Sequence, residues 1–167
     1  MKASPSRKIV AASKVTLRRA KYEDCQRVWM LRNDPETRQA SFDSAKIPWK
    51  THERWFSESL LRDDREIFMV AVRGRRAVGR RREGVARLDI ADREAAVSIY
   101  LAAEWRGRRV GPSALDQLAV KAFRELGLDR LFASVKADNT RSLAAFARAG
   151  FTEVDRQGGV VTVERRR

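Results

Sequence analysis

Trp105-Arg-Gly-Arg-Arg-Val-Gly-Pro-Ser113 decides the reading of this 167-residue chain, because it leaves an apolar, strand-like run and opens an apolar-periodic helix. Upstream, Ala95-Ala-Val-Ser-Ile-Tyr-Leu101 is apolar and partly β-branched; downstream, Ala114, Leu115, Leu118, Ala122, Phe123 and Leu126 repeat at helical spacing. The arginines and glycines therefore gather at a helix N-terminus. There, unpaired N–H groups and the positive end of the helix dipole attract an anion, glycine admits close approach, and arginine adds charge-assisted bonds. A ligand carrying a pyrophosphate is implied, against the plain alternative of a solvated basic turn.

A second segment follows about one helix later. Asp138-Asn-Thr-Arg-Ser-Leu-Ala-Ala-Phe-Ala-Arg-Ala-Gly-Phe151 comes directly after the strand-like Leu131-Phe-Ala-Ser-Val135. The two motifs, in this order, resemble the GNAT superfamily of acyl-CoA-dependent N-acyltransferases. The pyrophosphate loop of that family reads Arg/Gln-x-x-Gly-x-Gly/Ala and is followed by an Asn-x-x-Ser/Ala…Gly-Phe segment. Arg106 and Gly111 fit the loop, Arg109 stands where the middle glycine is usual, and Pro112 suits the first turn of a helix. The resemblance runs from about Val15 to Phe151. It implies an α/β fold with a central mixed, mostly antiparallel β-sheet flanked by helices on both faces.

Along the chain, residues 1–13 read as a flexible basic tail and 14–167 as a single domain, a length able to bury a continuous core. Val15–Leu17 begins the strands. A helix over Tyr22–Leu31 ends at Arg32-Asn-Asp-Pro35, where proline turns its predecessor away from helix. A polar, non-periodic connection leads to Pro48 and a second helix in which Trp49, Glu53, Phe56 and Leu60 follow helical spacing, flanked by His52 and Trp55. Strands are expected at Ile67–Val72 and at Ala77–Gly79 with Val85–Asp89, the latter interrupted by an arginine-rich bulge or loop after a turn at Arg73-Gly74. Ala95–Leu101 pairs with it. After the phosphate-loop helix, closed by Gly127, come strand Leu131–Val135, helix Arg141–Ala149 closed by Gly150, and a hairpin about Gly158-Gly159. This alternation means a mixed sheet with helices on its faces.

The resemblance implies direct attack of an amine on the thioester of acetyl-CoA, a co-substrate, with no metal. Cofactor holding then falls to Arg106, Gly107, Arg108, Arg109, Val110, Gly111, Pro112 and Ser113, to backbone at Ile99, Tyr100 and Leu101, and to Asn139, whose plain alternative is a helix N-cap. Phe146 occupies the cofactor-side position where many relatives carry a tyrosine. It cannot donate a proton, so either the thiolate leaves with help from water, Ser142 or another hydroxyl such as Tyr100, or activity is reduced. Glu94, on the strand face of Ala96 and Ser98, is the candidate base acting through water. His52, the only histidine, is a second candidate, because its unperturbed pKa lies near neutrality. Arg32, Asn33, Arg38, Trp49 and Trp55 are the substrate-binding candidates. With Pro35, Phe42 and His52, they resemble the branch that acetylates nucleotide-linked amino sugars in pseudaminic-acid biosynthesis.

The formal charge of +14, from 36 basic and 22 acidic residues, collects at Arg73–Arg76, Arg80–Arg82, Arg106–Arg109 and Arg165–Arg167. It favours a small anionic amine such as a nucleotide-linked amino sugar, and argues against polyamines, which a cationic protein repels. Two other readings stay open. One is a ribosomal-protein N-terminal acetyltransferase of the RimJ and RimL type, drawn to ribosomal RNA. The other is a catalytically weak CoA-binding or nucleic-acid-binding module. The lone Cys25 rules out an intrachain disulfide, and no apolar stretch is long enough to span a bilayer, so a cytoplasmic monomer or homodimer without membrane contact is expected.

Overall fold

The computed structural model describes residues 14–73 and 81–167. The expected tail over 1–13, the strand piece Ala77–Gly79 and most of the Arg73–Arg76 and Arg80–Arg82 clusters lie outside those residues. The described elements are β1 (Lys14–Arg19), α1 (Cys25–Arg32), α2 (Pro35–Ala40), α3 (Trp49–Ser59), β2 (Arg65–Arg73), β3 (Arg81–Ala91) and β4 (Glu94–Leu101), then α4 (Val110–Val120), β5 (Arg130–Lys136), α5 (Thr140–Arg148), β6 (Thr152–Gln157) and β7 (Val160–Arg166). They form one seven-stranded sheet in the order β1-β2-β3-β4-β5-β7-β6. Every neighbouring pair is antiparallel except β4 and β5.

Strand alternation sorts the core into two layers. On β2, Phe68, Val70 and Val72 face one side with Ala86, Leu88 and Val97, beneath Leu115, Leu118 and Phe146 of α4 and α5. Ile67 and Met69 face the other with Val85, beneath Val28 and Leu31 of α1 and Phe56 of α3. Both faces of the middle strands are thus covered, which is why they read as continuous apolar runs. Among the described residues, no helix is long and apolar enough to cross a membrane.

Three details differ from the sequence reading. Pro35 does end α1, but it also opens α2: Asp34 is extended, its carboxylate accepts from the Thr37 N–H at 3.1 Å, and the proline occupies the first turn. The first helix begins as a 3-10 turn over Tyr22–Asp24. On α3 the buried face is His52, Phe56 and Ser59, so His52 lies inside the stripe and Glu53 outside it.

The expected bulge is real but falls at Glu83. Arg82 pairs with Ala71 and Gly84 with Val70, which leaves Glu83 as the extra residue of β3. Its carbonyl accepts from the N–H of Ala102 at 2.8 Å, tying the bulge to the end of β4. Gly84 is where that closeness is felt, since a Cβ there would stand 2.5 Å from Leu101 Cδ2 and 2.8 Å from the Tyr100 carbonyl oxygen. Gly84→Ala is expected to destabilise the protein by about 2 kcal/mol in urea unfolding, through overpacking against backbone. Leu61→Ala, at an 86% exposed position, is the control and should leave the midpoint unmoved.

Candidate functional site

The parallel strands β4 and β5 touch over only three pairs, Glu94 with Arg130, Ala95 with Leu131 and Ala96 with Phe132. Beyond these they part. β5 stays bonded to β7 as far as Lys136, and β4 stays bonded to β3 as far as Leu101, so the sheet opens between two intact halves. A cavity of about 760 Å³ fills the opening. Its walls include Val97, Ile99 and Leu101 of β4 and Ala133 and Val135 of β5, with Leu115 and Phe146 from the covering helices. Among the described residues, the backbone of Val97–Leu101 has no strand partner on this side.

One end of the cavity is built for an anion. Gly107 and Arg109 take left-handed φ values of 70° and 63°, and Arg109 is the N-cap of α4. Arginine thus keeps the backbone shape that a glycine takes freely, at a strain of roughly 1 kcal/mol. At Gly111 a Cβ would make only ordinary contact with Ala145 at 3.7 Å, so the packing of α4 on α5 leaves room for a small side chain there. Arg109, Gly111 and Pro112 line the cavity, joined by Arg141 and Arg148 of α5. Those two arginines lie seven residues apart on one helix face, a spacing readable in the sequence and passed over there.

Three residues of the predicted loop do something else. Val110 is buried in the core, Arg108 stands over the ring of Trp105, and Ser113 closes the first turn of α4 onto Arg109. Arg106 lines the cavity but is already engaged. It bonds Asp34 at 2.5 Å, the Thr37 hydroxyl at 3.1 Å and the Leu101 carbonyl at 3.1 Å, and sits 3.0 Å from Glu36. It is therefore a clamp between the end of β4 and helix α2. Burial works against ionisation of Asp34, yet the bonds from Arg106 and Thr37 prevail and hold its pKa below the usual carboxylate value.

The other end carries Arg32, Phe42, Asp43, His52, Trp55, Arg87, Ser98 and Tyr100. Arg87 was missed in the sequence, although alternation along β3 puts it on the face of Val85. It packs over Trp55 at 5.7 Å and bonds Asp89 at 2.8 Å. Arg32 bonds the Asp43 carbonyl at 3.0 Å and keeps its buried Nη1 without a hydrogen-bond partner. Burial pushes the Tyr100 phenol up to about 12, with Arg87 and Arg32 pulling the other way. His52 is buried, donates through Nε2 to the Cys25 carbonyl at 3.1 Å, and is held below its ordinary pKa by desolvation.

Several candidates stand elsewhere. Glu94 lies at the closed end of the β4–β5 pair, bonded to Arg130 at 2.9 Å, and does not line the cavity. Asn33 binds the backbone of Ile47 through both ends of its amide, at 2.8 and 3.0 Å, and Arg38 binds the carbonyls of Asn33 and Ser44. Both hold the loop before α3. Trp49 packs edge-on against Trp29 at 5.5 Å, outside the cavity. Asn139 and Ser142 do line it: the Asn139 carbonyl oxygen caps α5 on the Ser142 N–H, leaving the amide NH₂ as donor. Phe146 lies in the core edge-on to Phe151 and reaches the cavity as an apolar wall. Among the described residues, no group of three or more His, Cys, Asp or Glu could hold a metal ion.

The acetyltransferase (GNAT) domain family matches residues 14–152. No curated protein matches the chain. Among solved structures, spermidine N-acetyltransferase from Vibrio cholerae in complex with CoA and spermine superposes with a TM-score of 0.81 at 17% identity, over 91% of this chain and 95% of that one. A domain from Methanocaldococcus jannaschii gives 0.79 at 18% identity, over 92% and 99%. The likeness of these two structures is one of fold.

Asp34→Asn tests the clamp. The variant is expected to lose about 2 kcal/mol at pH 7 in urea unfolding. Because the folded pKa of Asp34 is depressed, that contribution is present above the unfolded value near 3.8 and is lost as pH falls through the lower folded value. The gap between wild type and variant should therefore close below about pH 4; a gap that stays constant with pH would contradict the assignment.

Proposed function

Because the chain belongs to the GNAT acetyltransferase family, we propose that it moves the acetyl group of acetyl-CoA to the primary amine of a small anionic acceptor, such as a nucleotide-linked amino sugar, within a single domain over 14–167. The observation that carries this reading is the parting of β4 from β5 beside an arginine-lined helix N-terminus. An unpaired strand edge receives an extended, amide-bearing chain as a further strand would be received. The cofactor arm has that character, and its pyrophosphate suits the adjoining glycine turn.

The residues divide the work. Ile99, Tyr100 and Leu101 supply backbone along the open edge. Gly107, Arg109 and Gly111, with the first turn of α4, receive phosphate, and Arg141 and Arg148 extend the cationic wall. When bound, acetyl-CoA supplies an activated thioester. Phe146 leaves no phenol on α5, so Tyr100 is the proton donor assigned to the leaving sulfur because it lines the cavity and is protonated at neutral pH; burial, which pushes its pKa up to about 12, makes it a weaker acid than a free phenol. Position removes Glu94 as base. His52 reaches the cavity in neutral form with Nε2 committed to Cys25, and Nδ1 is its remaining basic nitrogen.

An anionic acceptor fits the far end, where Arg32 and Arg87 line the cavity together with Asp43, Arg87 being already paired with Asp89 at 2.8 Å. Trp55 and Phe42 offer ring faces for a base or sugar. The Vibrio cholerae enzyme binds spermine, yet two guanidinium groups in this wall repel a polyamine. The overall charge of +14 also suits the reading of a ribosomal-protein N-terminus as acceptor.

Calorimetric titration is expected to show acetyl-CoA binding to wild type that falls by roughly a hundredfold or more in Arg109→Ala with Arg141→Ala, since each lost charge-assisted bond is worth about 1.5–3 kcal/mol. Release of CoA thiol over an amine panel should favour a nucleotide-linked amino sugar over spermidine and over a ribosomal-protein N-terminal peptide. Preference for spermidine would overturn the acceptor class. Tyr100→Phe should lower kcat by about 10²-fold with little change in acetyl-CoA affinity; an unchanged kcat would remove Tyr100 from proton transfer.

A further inference from the structure

Glu36 stands in the mouth of the cavity between its two walls. Its Oε2 lies 3.0 Å from Nη1 of Arg106 and 3.0 Å from Nη2 of Arg141. One carboxylate oxygen thus bridges the loop after β4 and the first turn of α5, and all three residues line the cavity.

The two arms of this bridge are unequal to the groups that hold it. Arg106 is fixed by Asp34, Thr37 and the Leu101 carbonyl whatever Glu36 does. Its Nη1 is buried and has no hydrogen-bond partner, so the contact with Glu36 is an ion pair without hydrogen-bond alignment. Glu36 and Arg141 are 58% and 60% exposed, and a bridge between exposed groups is weak and easily exchanged. A phosphate carries more charge than a carboxylate and more acceptor oxygens, so it outcompetes Glu36 for both donors.

Helix α2 depends on the same contacts. Six residues are too few to persist as an isolated helix, so tethers set its place: Asp34 to Arg106 at its N-cap, Glu36 to Arg141 in its first turn, and Lys136 to the Gln39 carbonyl at 2.8 Å near its end. Thr37, Ala40 and Ser41 form part of the cavity wall. A change at Glu36 is therefore felt where the acceptor enters.

We propose that Glu36 is a built-in competitor for the cofactor's phosphates, holding Arg106 Nη1 and Arg141 until a phosphate displaces it, and that its release loosens α2. The cofactor part of this inference rests on the acetyl-CoA reading above; the competition with phosphate does not.

The test is titration of CoA, and separately of inorganic pyrophosphate, into wild type, Glu36→Gln and Glu36→Ala, with hydrogen exchange of residues 35–41 followed alongside. Both variants should bind both ligands about three- to tenfold tighter than wild type at low salt, with the gain shrinking at high salt. Amides of α2 should exchange faster in wild type once CoA is bound, and already at that faster rate in the unliganded variants. Variants that bind pyrophosphate no tighter than wild type, or α2 amides indifferent to CoA, overturn the proposal. Wild type that takes pyrophosphate but not CoA overturns the acetyl-CoA reading and leaves the competition standing, whereas binding of neither ligand overturns both.

Discussion

The brief parallel contact between β4 and β5 is the constraint on which the rest of the structure depends. A parallel ladder continued to Leu101 would have spent the backbone donors and acceptors of Val97–Leu101 on β5, and no cavity would exist. Each strand instead keeps its other neighbour, β4 with β3 along eight pairs and β5 with β7 along seven, so the opening is held from outside by complete antiparallel ladders. The exposed edge lies inside the fold, where α4, α5 and α2 border it. An unpaired edge invites an added chain, and in the proposed function that chain is the cofactor arm.

The arginine beside this opening shows how a motif can keep its place and change its work. Arg106 fits the loop pattern, but its guanidinium is sunk to 11% exposure among Asp34, Thr37 and the Leu101 carbonyl. Removing a buried charge's partner is far more damaging than loss of an exposed pair, so this set specifies how α2 docks. In the proposed function, charge for phosphate then comes from Arg109 and from α5, with Arg106 Nη1 the one donor of that guanidinium left over for it. Arg109 pays for its position with a left-handed backbone.

Much of the fold was legible because each layer wrote its own period. The run Ile67–Val72 buries both faces, the helix after Gly111 buries every third or fourth residue, and Gly127, Gly150 and Gly158-Gly159 take the positive φ values their turns require. Helix α2 was hidden because proline ends one helix and starts the next within a stretch with no apolar repeat. The site was less legible than the sheet. The Asp34–Arg106 bond joins positions 72 residues apart, and nothing local announces it. Glu94 shares a strand face with Ser98 but sits at the closed end, a distinction that depends on where β5 leaves β4. His52 reads as a candidate base with an ordinary pKa until α1 is placed over it and the Cys25 carbonyl accepts its Nε2 proton.

The central claim, that the open edge of β4 receives the cofactor, is tested most directly by following backbone amide resonances as CoA is added to the ¹⁵N-labelled protein. The account predicts that Ile99, Tyr100, Leu101 and Gly111 shift together and saturably, while Ala95 and Ala96, which remain paired with β5, hold still. Saturable shifts confined to other strands, with Ile99–Leu101 unmoved, would contradict it.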